Sequence, residues 1–349
     1  MGSKTVRNKT SFKLFWLKLT HFEFWPYWVF YLPFIPYYLI KSIQHGSFCL
    51  FSNVNPSIYL SGIVGESKEE ILSMIKPEYL PQSLYFDTHL HTIDEVIKTI
   101  EATIQYPLIL KPDVGERGNL VEKIADTQKL KIYLENIQGK FIVQEFIDYP
   151  YEFGIMYYHI PNTDEYKITS IVEKGFLNVV GDGVSSIKSL LSKNDRALLV
   201  WDYLEEHLSD TWNSIPKKDE LIYPQPIGNH CKGTMFIDST HLTTDELTHK
   251  VHTMAKNIPE FYYGRFDVKA KSLEDFNRGD FIKVMELNGV TSEPGHIYDP
   301  NYSLITAYKD ILNHFRIILK ISKANTKRGF KPASFSEVYK LLSNFYSKS

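Results

Sequence analysis

Four polar residues in the last third of the chain have the types and spacing of a site for metal-assisted phosphoryl or acyl transfer. Arg265 and Asp267 lie two residues apart in an apolar run, and Glu286 and Asn288 repeat that spacing further along. Because alternate residues of a β-strand share a face, each pair projects to one side of its strand. Asp267, Glu286 and Asn288 then offer three oxygen ligands of the kind that Mg²⁺ takes together with nucleotide phosphates. Arg265 adds a cation that can stabilise charge on a transferring oxygen.

A second group of polar residues lies upstream, where a short apolar run ends in a lysine. Residues 108–110 predict a strand that delivers Lys111 into a loop bounded by Gly115 and Gly118. Glycines let such a loop adopt backbone conformations that aim N–H groups at phosphate oxygens. In a Walker A loop the lysine follows the glycines, whereas here it precedes them, so this is a different kind of phosphate site.

The order of these parts resembles the ATP-grasp superfamily. The shared parts are the lysine strand, the glycine loop, a Gln-Glu-Phe-Ile linker at 144–147, a Gly-Arg-Phe-Asp run and a Glu-Leu-Asn run. The resemblance covers roughly residues 66–320, and it is to D-alanine–D-alanine ligases and, in the middle of the chain, to cyanophycin synthetase-like amino-acid ligases. It implies an α+β fold in which two α+β subdomains clamp ATP, here with a reduced amino-terminal α/β domain.

The resemblance also implies a role for each matching residue. The residues that would contact ATP are the lysines, the loop glycines, the linker and the acid that holds the ribose: Lys68, Lys111, Gly115, Gly118, Gln144, Glu145, Ile147 and Glu152. Asp267, Glu286 and Asn288 would hold Mg²⁺, with Mn²⁺ as the alternative ion. Arg265 would steady an acyl phosphate and the tetrahedral intermediate, and Lys174 is a second catalytic candidate that could reach the γ-phosphate.

Two further glycine-bounded loops are expected to border the site. Residues 180–191 resemble the Gly-Asp-Gly element of cyanophycin synthetase, and they also predict a turn followed by a helix capped by Ser185 or Ser186. Residues 228–234 resemble a substrate-side loop of the same ligases. We interpret this second loop as an acceptor pocket and not as catalytic machinery. Cys231 has no second cysteine for a zinc site, and the sequence shows no His–Asp pair that would activate it as a nucleophile.

The chain departs from D-alanine–D-alanine ligases at both ends of the resemblance. In those enzymes an α/β domain of about a hundred residues precedes the first ATP lysine, whereas here roughly 65 residues precede Lys68. The run 288–295 is longer than the family's Asn-Thr-Ser-Pro-Gly and inserts Glu293. An added acid in this position would favour a cationic or amine acceptor.

The composition of the whole chain is that of a globular enzyme. Its 349 residues suffice for a sizeable core in several subdomains. Lys and Arg number 39 and Asp and Glu number 41, so the net charge of −2 gives no argument for binding nucleic acid. The two cysteines form no disulfide framework and fit a reducing compartment.

The amino-terminal residues differ sharply from the rest. Five cations precede the first acid, Glu23, and they are Lys4, Arg7, Lys9, Lys13 and Lys18. Phe12, Phe15, Trp16 and Leu19 fall on one face of a short helix. Residues 24–40 carry no charge but are interrupted by prolines and are short for a spanning helix. We therefore expect attachment to an anionic membrane surface. The alternative is an aromatic segment packed against the ligase body or against a partner chain.

Capping motifs and apolar periodicity set the remaining expectations. Helices are predicted to begin at capping boxes that open with Thr92, Thr243 and Ser334, and 271–280 is expected to be a turn-rich connection. The predicted divisions of the chain are an interfacial segment, a reduced region before the ATP-binding part, the ATP-grasp domain and a final helix. Their bounds are 1–47, 48–105, 106–325 and 326–349.

These expectations combine into a prediction of function. The protein would be an ATP- and Mg²⁺-dependent carboxylate–amine ligase of the amino-acid or peptide type, forming a carbon–nitrogen bond and releasing ADP. It would use small-molecule substrates through an acyl phosphate, in the cytoplasm and peripherally on the inner face of the cell membrane. Two alternatives stay open: an ATP-grasp kinase that phosphorylates a small molecule, and a membrane-bound scaffold that retains the fold without catalysis.

Overall fold

The computed structural model of the chain describes residues 14–115, 120–224 and 233–347. Its strands are β1 (Ser83–Asp87), β2 (Leu108–Pro112), β3 (Glu122–Ile124), β4 (Lys140–Glu145), β5 (Tyr151–His159), β6 (Tyr166–Gly175), β7 (Val179–Val180), β8 (Leu221–Ile222), β9 (Met235–Asp238), β10 (Tyr263–Ala270) and β11 (Ile282–Asn288). Its α-helices are α1 (Tyr27–Tyr31), α2 (Ile35–His45), α3 (Lys68–Ser73), α4 (Ile93–Thr103), α5 (Thr127–Asn136), α6 (Ile187–Leu191), α7 (Asp195–Leu199), α8 (Trp201–His207), α9 (Asp245–Lys256), α10 (Leu273–Arg278), α11 (Leu304–Lys327) and α12 (Phe335–Tyr346). Residues 14–20 are also helical. The predicted α+β class is confirmed.

The first sheet has four antiparallel strands in the order β1-β4-β2-β3. Buried residues of α4 and α5, among them Ile100 and Leu130, pack against β2 and β4 to form its core. Helix α4 begins at the predicted capping box, in which the Thr92 side chain accepts a hydrogen bond from the Glu95 N–H. Because β1 pairs with β4, this sheet takes in residues on both sides of the division expected after residue 105.

The second sheet has five antiparallel strands in the order β11-β10-β5-β6-β9. Helices α9 and α10 pack against one of its faces, where Phe153, Val251 and Phe266 are buried in a shared core. The helices thus leave the opposite face of the sheet for polar side chains.

The connection 271–280 is not the turn-rich segment that the sequence predicts, since it contains helix α10. The Ser272 side chain caps this helix by accepting a hydrogen bond from the Asp275 N–H. Phe276 is fully buried and stacks on Phe153, with the ring centroids 3.9 Å apart. Tertiary packing therefore stabilises a helix too short to be evident from local periodicity.

Helices α9 and α12 also begin at or next to their predicted capping residues. Helix α9 begins one residue later than predicted, because Thr244 and not Thr243 accepts a hydrogen bond from the Leu247 N–H. Ser334 caps α12 as predicted, by accepting a hydrogen bond from the Glu337 N–H.

An insertion between β6 and β9 forms a small unit of its own. It contains the two-stranded sheet β7-β8 and helices α6 to α8, around a core that includes Leu191, Leu204 and Trp212. Of the two caps predicted for α6, Ser186 is the one used. The Asp182 carboxylate of the Gly-Asp-Gly turn accepts hydrogen bonds from the N–H groups of Val184 and Ser185, and these two bonds hold the turn.

The amino-terminal strap, as we name residues 14–48, packs along α11. Phe30 and Phe34 are buried, and their rings contact Tyr308 of α11 at centroid distances of 5.3 and 5.0 Å. Phe34 also contacts Phe315, which lies about two turns beyond Tyr308 on the same helix. This side of the strap therefore has the packing that the sequence left as an alternative to membrane attachment.

Polar contacts fix both ends of the packed part of the strap. The Glu23 carboxylate lies 2.6 Å from Arg196 Nη2 in the insertion. The Tyr31 hydroxyl donates a hydrogen bond to Glu293, which also accepts one from Tyr298 at 2.9 Å. No helix within the described ranges is both long and apolar enough to cross a membrane.

Candidate functional site

The face of the second sheet that is turned away from α9 and α10 carries the predicted metal-site residues. Along β10, Arg265 and Asp267 flank Phe266, whose buried side chain points into the core on the other face. Across the strand pair, Asp267 lies opposite Glu286 and Arg265 lies opposite Asn288. The four residues therefore share one face of two neighbouring strands.

Asp267 lies at the centre of a cluster of ion pairs. Its Oδ1 atom is 2.6 Å from Arg265 Nε, and its Oδ2 atom is 3.2 Å from Lys174 Nζ on β6. Lys174 Nζ is also 2.6 Å from Glu152 Oε1, so the acid expected to hold a ribose is instead engaged by a lysine. Gly154 lies opposite Asp267 on β5, and a Cβ atom there would lie 3.1 Å from Arg265 Cδ. A glycine in this strand therefore leaves room for the arginine.

Attraction within the cluster outweighs the effect of burial on its charges. Burial alone would lower the pKa of Lys174, but Asp267 and Glu152 raise that pKa above its ordinary value. Burial alone would raise the pKa of Asp267, whereas Arg265 and Lys174 hold it below its usual range. The pKa of Arg265 is raised in turn, because the charges of nearby carboxylates outweigh its desolvation. These three side chains therefore stay charged near neutral pH.

Lys111 of the first sheet and Lys68 of helix α3 both reach the edge strand of the second sheet. Lys111, at the end of β2, donates a hydrogen bond from Nζ to Met285 O of β11 at 3.0 Å. Lys68, at the start of α3, donates to Gly115 O at 2.6 Å and lies 3.8 Å from Glu286 Oε1. The structure thus brings together Lys68, Lys111, Gly115 and Glu286, which are far apart in the sequence.

Lys111 has an unusual electrostatic environment. Burial lowers its pKa to about 8, and the nearby positive charge of Lys68 acts in the same direction. The negative charge of Glu286 opposes this shift but does not cancel it. A lysine in this condition loses its proton readily and regains affinity for it when an anion is placed beside it.

Lys269 is a site residue that the sequence analysis did not single out. It follows Asp267 by two residues on β10, and its Nζ donates a hydrogen bond to Ile147 O at 3.0 Å. Its ammonium group also lies 5.1 Å from the centre of the Phe146 ring. The contact brings the linker 144–147 to the same face of the sheet as Asp267. The alternation of Arg265, Asp267 and Lys269 was the signal that could have identified it.

The first two linker residues are placed differently from each other. Gln144 is almost fully buried, and its Nε2 donates to Ser83 Oγ at 3.1 Å while its Oε1 has no hydrogen-bond partner. The Glu145 carboxylate instead accepts a hydrogen bond from the Gln82 N–H at 3.2 Å. A buried acceptor without a partner carries a desolvation cost, so Gln144 Oε1 is a polar atom that the surrounding protein leaves unsatisfied.

Two of the predicted loops lie partly outside the described ranges. Gly118, Cys231 and the rest of 228–232 lie outside the described residues. The glycine loop and the loop at 228–234 therefore remain sequence-based expectations.

The predicted Mg²⁺ ligands are two carboxylates and one amide on neighbouring strands. No group of three or more His, Cys, Asp or Glu side chains in the described part of the chain is arranged to hold a metal ion. The predicted set contains two carboxylates, Asp267 and Glu286, opposite each other on paired strands, and the side-chain amide of Asn288, whose Nδ2 is buried without a hydrogen-bond partner. Mg²⁺ accepts one or two carboxylates when phosphates and water complete its shell. The residues fit this ion in the presence of a nucleotide.

The loop after β11 forms another side of the cluster. Burial and the charge of Glu293 raise the pKa of Tyr31, and the same carboxylate is near enough to Arg265 to help raise the pKa of that residue. The buried His296 lies 2.7 Å from Ser170 Oγ through Nδ1 and 3.3 Å from Asp310 Oδ2 through Nε2. This loop is thereby fixed to β6, to α11 and to the strap.

No protein-family model matches the sequence, and no curated protein matches it. Solved structures do match. A D-alanine–D-alanine ligase from Bacillus anthracis is 14% identical, with 75% of this chain and 69% of that chain covered and a TM-score of 0.43. The VanG D-Ala:D-Ser ligase from Enterococcus faecalis is 16% identical, with 71% and 61% covered and a TM-score of 0.40. A bifunctional glutathione synthetase from Pasteurella multocida is 17% identical, with 71% and 35% covered and a TM-score of 0.38.

These matches include D-alanine–D-alanine ligases, the enzymes that the sequence motifs resemble. The chain spans only about three fifths of the VanG ligase and about a third of the glutathione synthetase. At these identities and scores the matches carry no argument about the activity of this chain.

Proposed function

We propose that this protein is an ATP- and Mg²⁺-dependent ligase that joins a carboxylate to an amine. The observation that carries the proposal is the contact of Lys111 Nζ with Met285 O at 3.0 Å. Through this contact a lysine of the first sheet meets the strand that bears Glu286, whose cross-strand partner is Asp267. A cation from the first sheet beside carboxylates on the second forms a setting in which nucleotide phosphates and a divalent ion can be held together.

The proposed mechanism begins with the transfer of a phosphoryl group. Lys68 and Lys111 would bind the ATP phosphates, while bound Mg²⁺ supplies neutralisation of their charge. The substrate carboxylate attacks the γ-phosphorus, the bond to the β-phosphate oxygen breaks, and an acyl phosphate and ADP result. Lys174 would orient the transferring group, and Glu152 would act by positioning Lys174, as their 2.6 Å ion pair supports.

The second step would form the carbon–nitrogen bond. An amine attacks the acyl carbon, the tetrahedral intermediate expels phosphate, and the amine nitrogen releases a proton. Arg265 would stabilise the oxyanion of that intermediate, because Asp267 holds its guanidinium in place at 2.6 Å and a preorganised donor needs little rearrangement. Glu293 would attract a cationic acceptor toward the same side of the site.

The experiment is a screen of carboxylate and amine pairs with purified full-length protein, ATP and Mg²⁺. A ligase releases phosphate only when both substrates are present, and mass spectrometry finds a product equal to their sum less one water. A phosphorylated acceptor without phosphate release would replace the proposal with the kinase alternative. An absence of nucleotide binding, measured by calorimetry, would favour the scaffold. Glu286→Gln is the matched inactive control, because it changes charge with little change of shape.

We also propose that the strap attaches the protein peripherally to an anionic membrane surface. The support is that 11 of the 27 exposed large hydrophobic side chains in the described ranges fall in residues 14–48. On α2, Ile35, Leu39 and Ile43 are spaced four residues apart and form one exposed apolar face. Sedimentation with vesicles tests this attachment, and a full-length protein that ignores both neutral and anionic vesicles would exclude it.

A further inference from the structure

A groove of about 670 Å³ lies where the strap, the end of α11 and the start of α12 meet. We name it the lysine groove, because Lys323, Lys327 and Lys331 line it together with His45. None of the described residues that line it is an Asp or a Glu. Its volume lies within the range of small-ligand sites.

The positive charge of the groove is not confined to its three lysines. Burial lowers the pKa of His45, and the nearby charges of Lys323 and Lys41 add to that effect. An acid, Glu337, is near enough to Cys49 to help burial raise the pKa of that thiol. The charge of Lys41 therefore adds to that of the three lysines that line the groove, and Glu337 lies near Cys49 outside that lining.

Helix geometry alone does not account for these lysines. Lys327 is in the last turn of α11, where a cation interacts favourably with the helix dipole. Lys323 lies one turn earlier, Lys331 follows the helix, and Lys41 belongs to α2. The lysines that line the groove therefore come from α11 and from the chain after it, and the charge of Lys41 on α2 acts on His45 of the same groove. This concentration of cations indicates an anionic ligand.

The lysine groove is continuous with the exposed apolar face of the strap. Helix α2 exposes 55% of Ile40 and 71% of Ile43, and it ends at His45, which lines the groove. Phe48 is 52% exposed and lines the groove as well. An apolar helix face beside a group of cations is the arrangement of a segment that lies at the boundary between lipid chains and phosphates.

We infer that the lysine groove binds the headgroup phosphate of an anionic phospholipid in the membrane on which α2 lies. The inference rests on the peripheral attachment proposed above and adds a defined headgroup site to it. The apolar side chains of α2 enter the acyl boundary, and the lysines meet phosphates at the level where lipid charge is concentrated. Because two of the lysines belong to α11, the headgroup also fixes the orientation of the helix that packs under the strap.

The test measures binding of the full-length protein to vesicles of phosphatidylcholine, alone or with one part in five of phosphatidylserine. The groove variant replaces three lysines with alanine: K323A, K327A and K331A. The matched control removes the same charge from exposed lysines elsewhere on the chain: K129A, K131A and K218A. A third variant places serine on the apolar face of α2: L39S, I40S and I43S.

The groove variant should lose at least tenfold in affinity for the anionic vesicles and little for the neutral ones. The control should lose less than threefold, and the apolar variant should lose binding to both kinds of vesicle. Replacement of the same three lysines by arginine should restore the affinity, which excludes misfolding as the cause. Equal losses in the groove variant and the control would overturn the headgroup site while leaving the attachment intact.

Two further outcomes would overturn the inference in different ways. If the wild-type protein binds neither kind of vesicle, the attachment fails and the headgroup site fails with it, whereas the ligase screen is unaffected. If inorganic phosphate binds the groove in calorimetry and anionic vesicles do not compete, the groove serves a soluble anion. A protein partner would be indicated if the groove variant loses no vesicle binding but changes the mass of the particle in solution.

Discussion

The lowered pKa of Lys111 leads to a prediction about nucleotide binding that can be worked out quantitatively. With a pKa of about 8, Lys111 is mostly protonated at pH 7.5 and mostly neutral at pH 9.5. If only the protonated lysine binds the ATP phosphates, the dissociation constant should rise by about 25-fold between these two pH values. The sign follows from the direction of the shift, because a buried lysine loses its charge as the pH rises through the lowered pKa.

Calorimetry with ATP and Mg²⁺ measures both the affinity and the proton that accompanies binding. At pH 9, about 0.9 of a proton should be taken up per nucleotide if the contact with phosphate returns Lys111 to its charged form. The uptake is obtained by repeating the titration in buffers that differ in their enthalpy of ionisation. This measurement does not depend on knowing either substrate.

Variants separate Lys111 from its neighbours. Lys111→Arg should remove the pH dependence, because arginine keeps its charge throughout this range. Lys269→Arg is the matched control, since burial also lowers the pKa of Lys269. A pH dependence that persists in Lys111→Arg would refute the assignment to Lys111. Constant affinity in the wild-type protein would mean that the Lys111 ammonium does not contact the phosphates or that it keeps its proton.

Three more predictions concern the metal site, the oxyanion and the strap. Glu286→Gln should abolish Mg²⁺-dependent turnover and leave the melting temperature nearly unchanged, since this side chain is 38% exposed; normal phosphate release would exclude Glu286 as a ligand. Arg265→Ala should lower the rate by roughly 10²- to 10³-fold and leave ATP affinity within a few-fold; weakened ATP binding with a normal rate at saturation would make it a nucleotide clamp. Phe30→Ala should lower the free energy of unfolding in urea by about 3–5 kcal/mol, because Phe30 is 2% exposed. The control Trp28→Ala, at a side chain 68% exposed, should change it by about 0.5 kcal/mol or less, and equal effects would contradict the packing of the strap.

Local rules of sequence predict part of the candidate site. The alternation of side chains along a strand suffices to place Arg265 with Asp267, and Glu286 with Asn288. It does not predict that Lys174 pairs with Asp267 at 3.2 Å, because that contact depends on β5 lying between β6 and β10. Sheet order is a long-range property, and the sequence carries no local signal for it.

The strap is a second region where the sequence does not determine the tertiary packing. Its aromatic residues predict an interface, but periodicity does not decide whether a given ring meets lipid or protein. In the structure, Phe22, Phe30 and Phe34 are buried against α11, while Trp28 is largely exposed. A shortened chain that begins near Phe48 would expose the apolar side of α11, so we expect it to be less stable than the full chain.

The hydrogen bond from Tyr31 to Glu293 joins the strap to the loop beside Arg265. If a surface shifts the strap, the position of this carboxylate and hence the affinity for an amine would change with it. Thermodynamic linkage makes such an influence reciprocal, so an acceptor that pulls on Glu293 would alter the affinity for the surface by the same factor. The strap would then couple two binding equilibria, that of the amine acceptor at the site and that of the surface. A change in the occupancy of one would be measurable as a change in the affinity of the other.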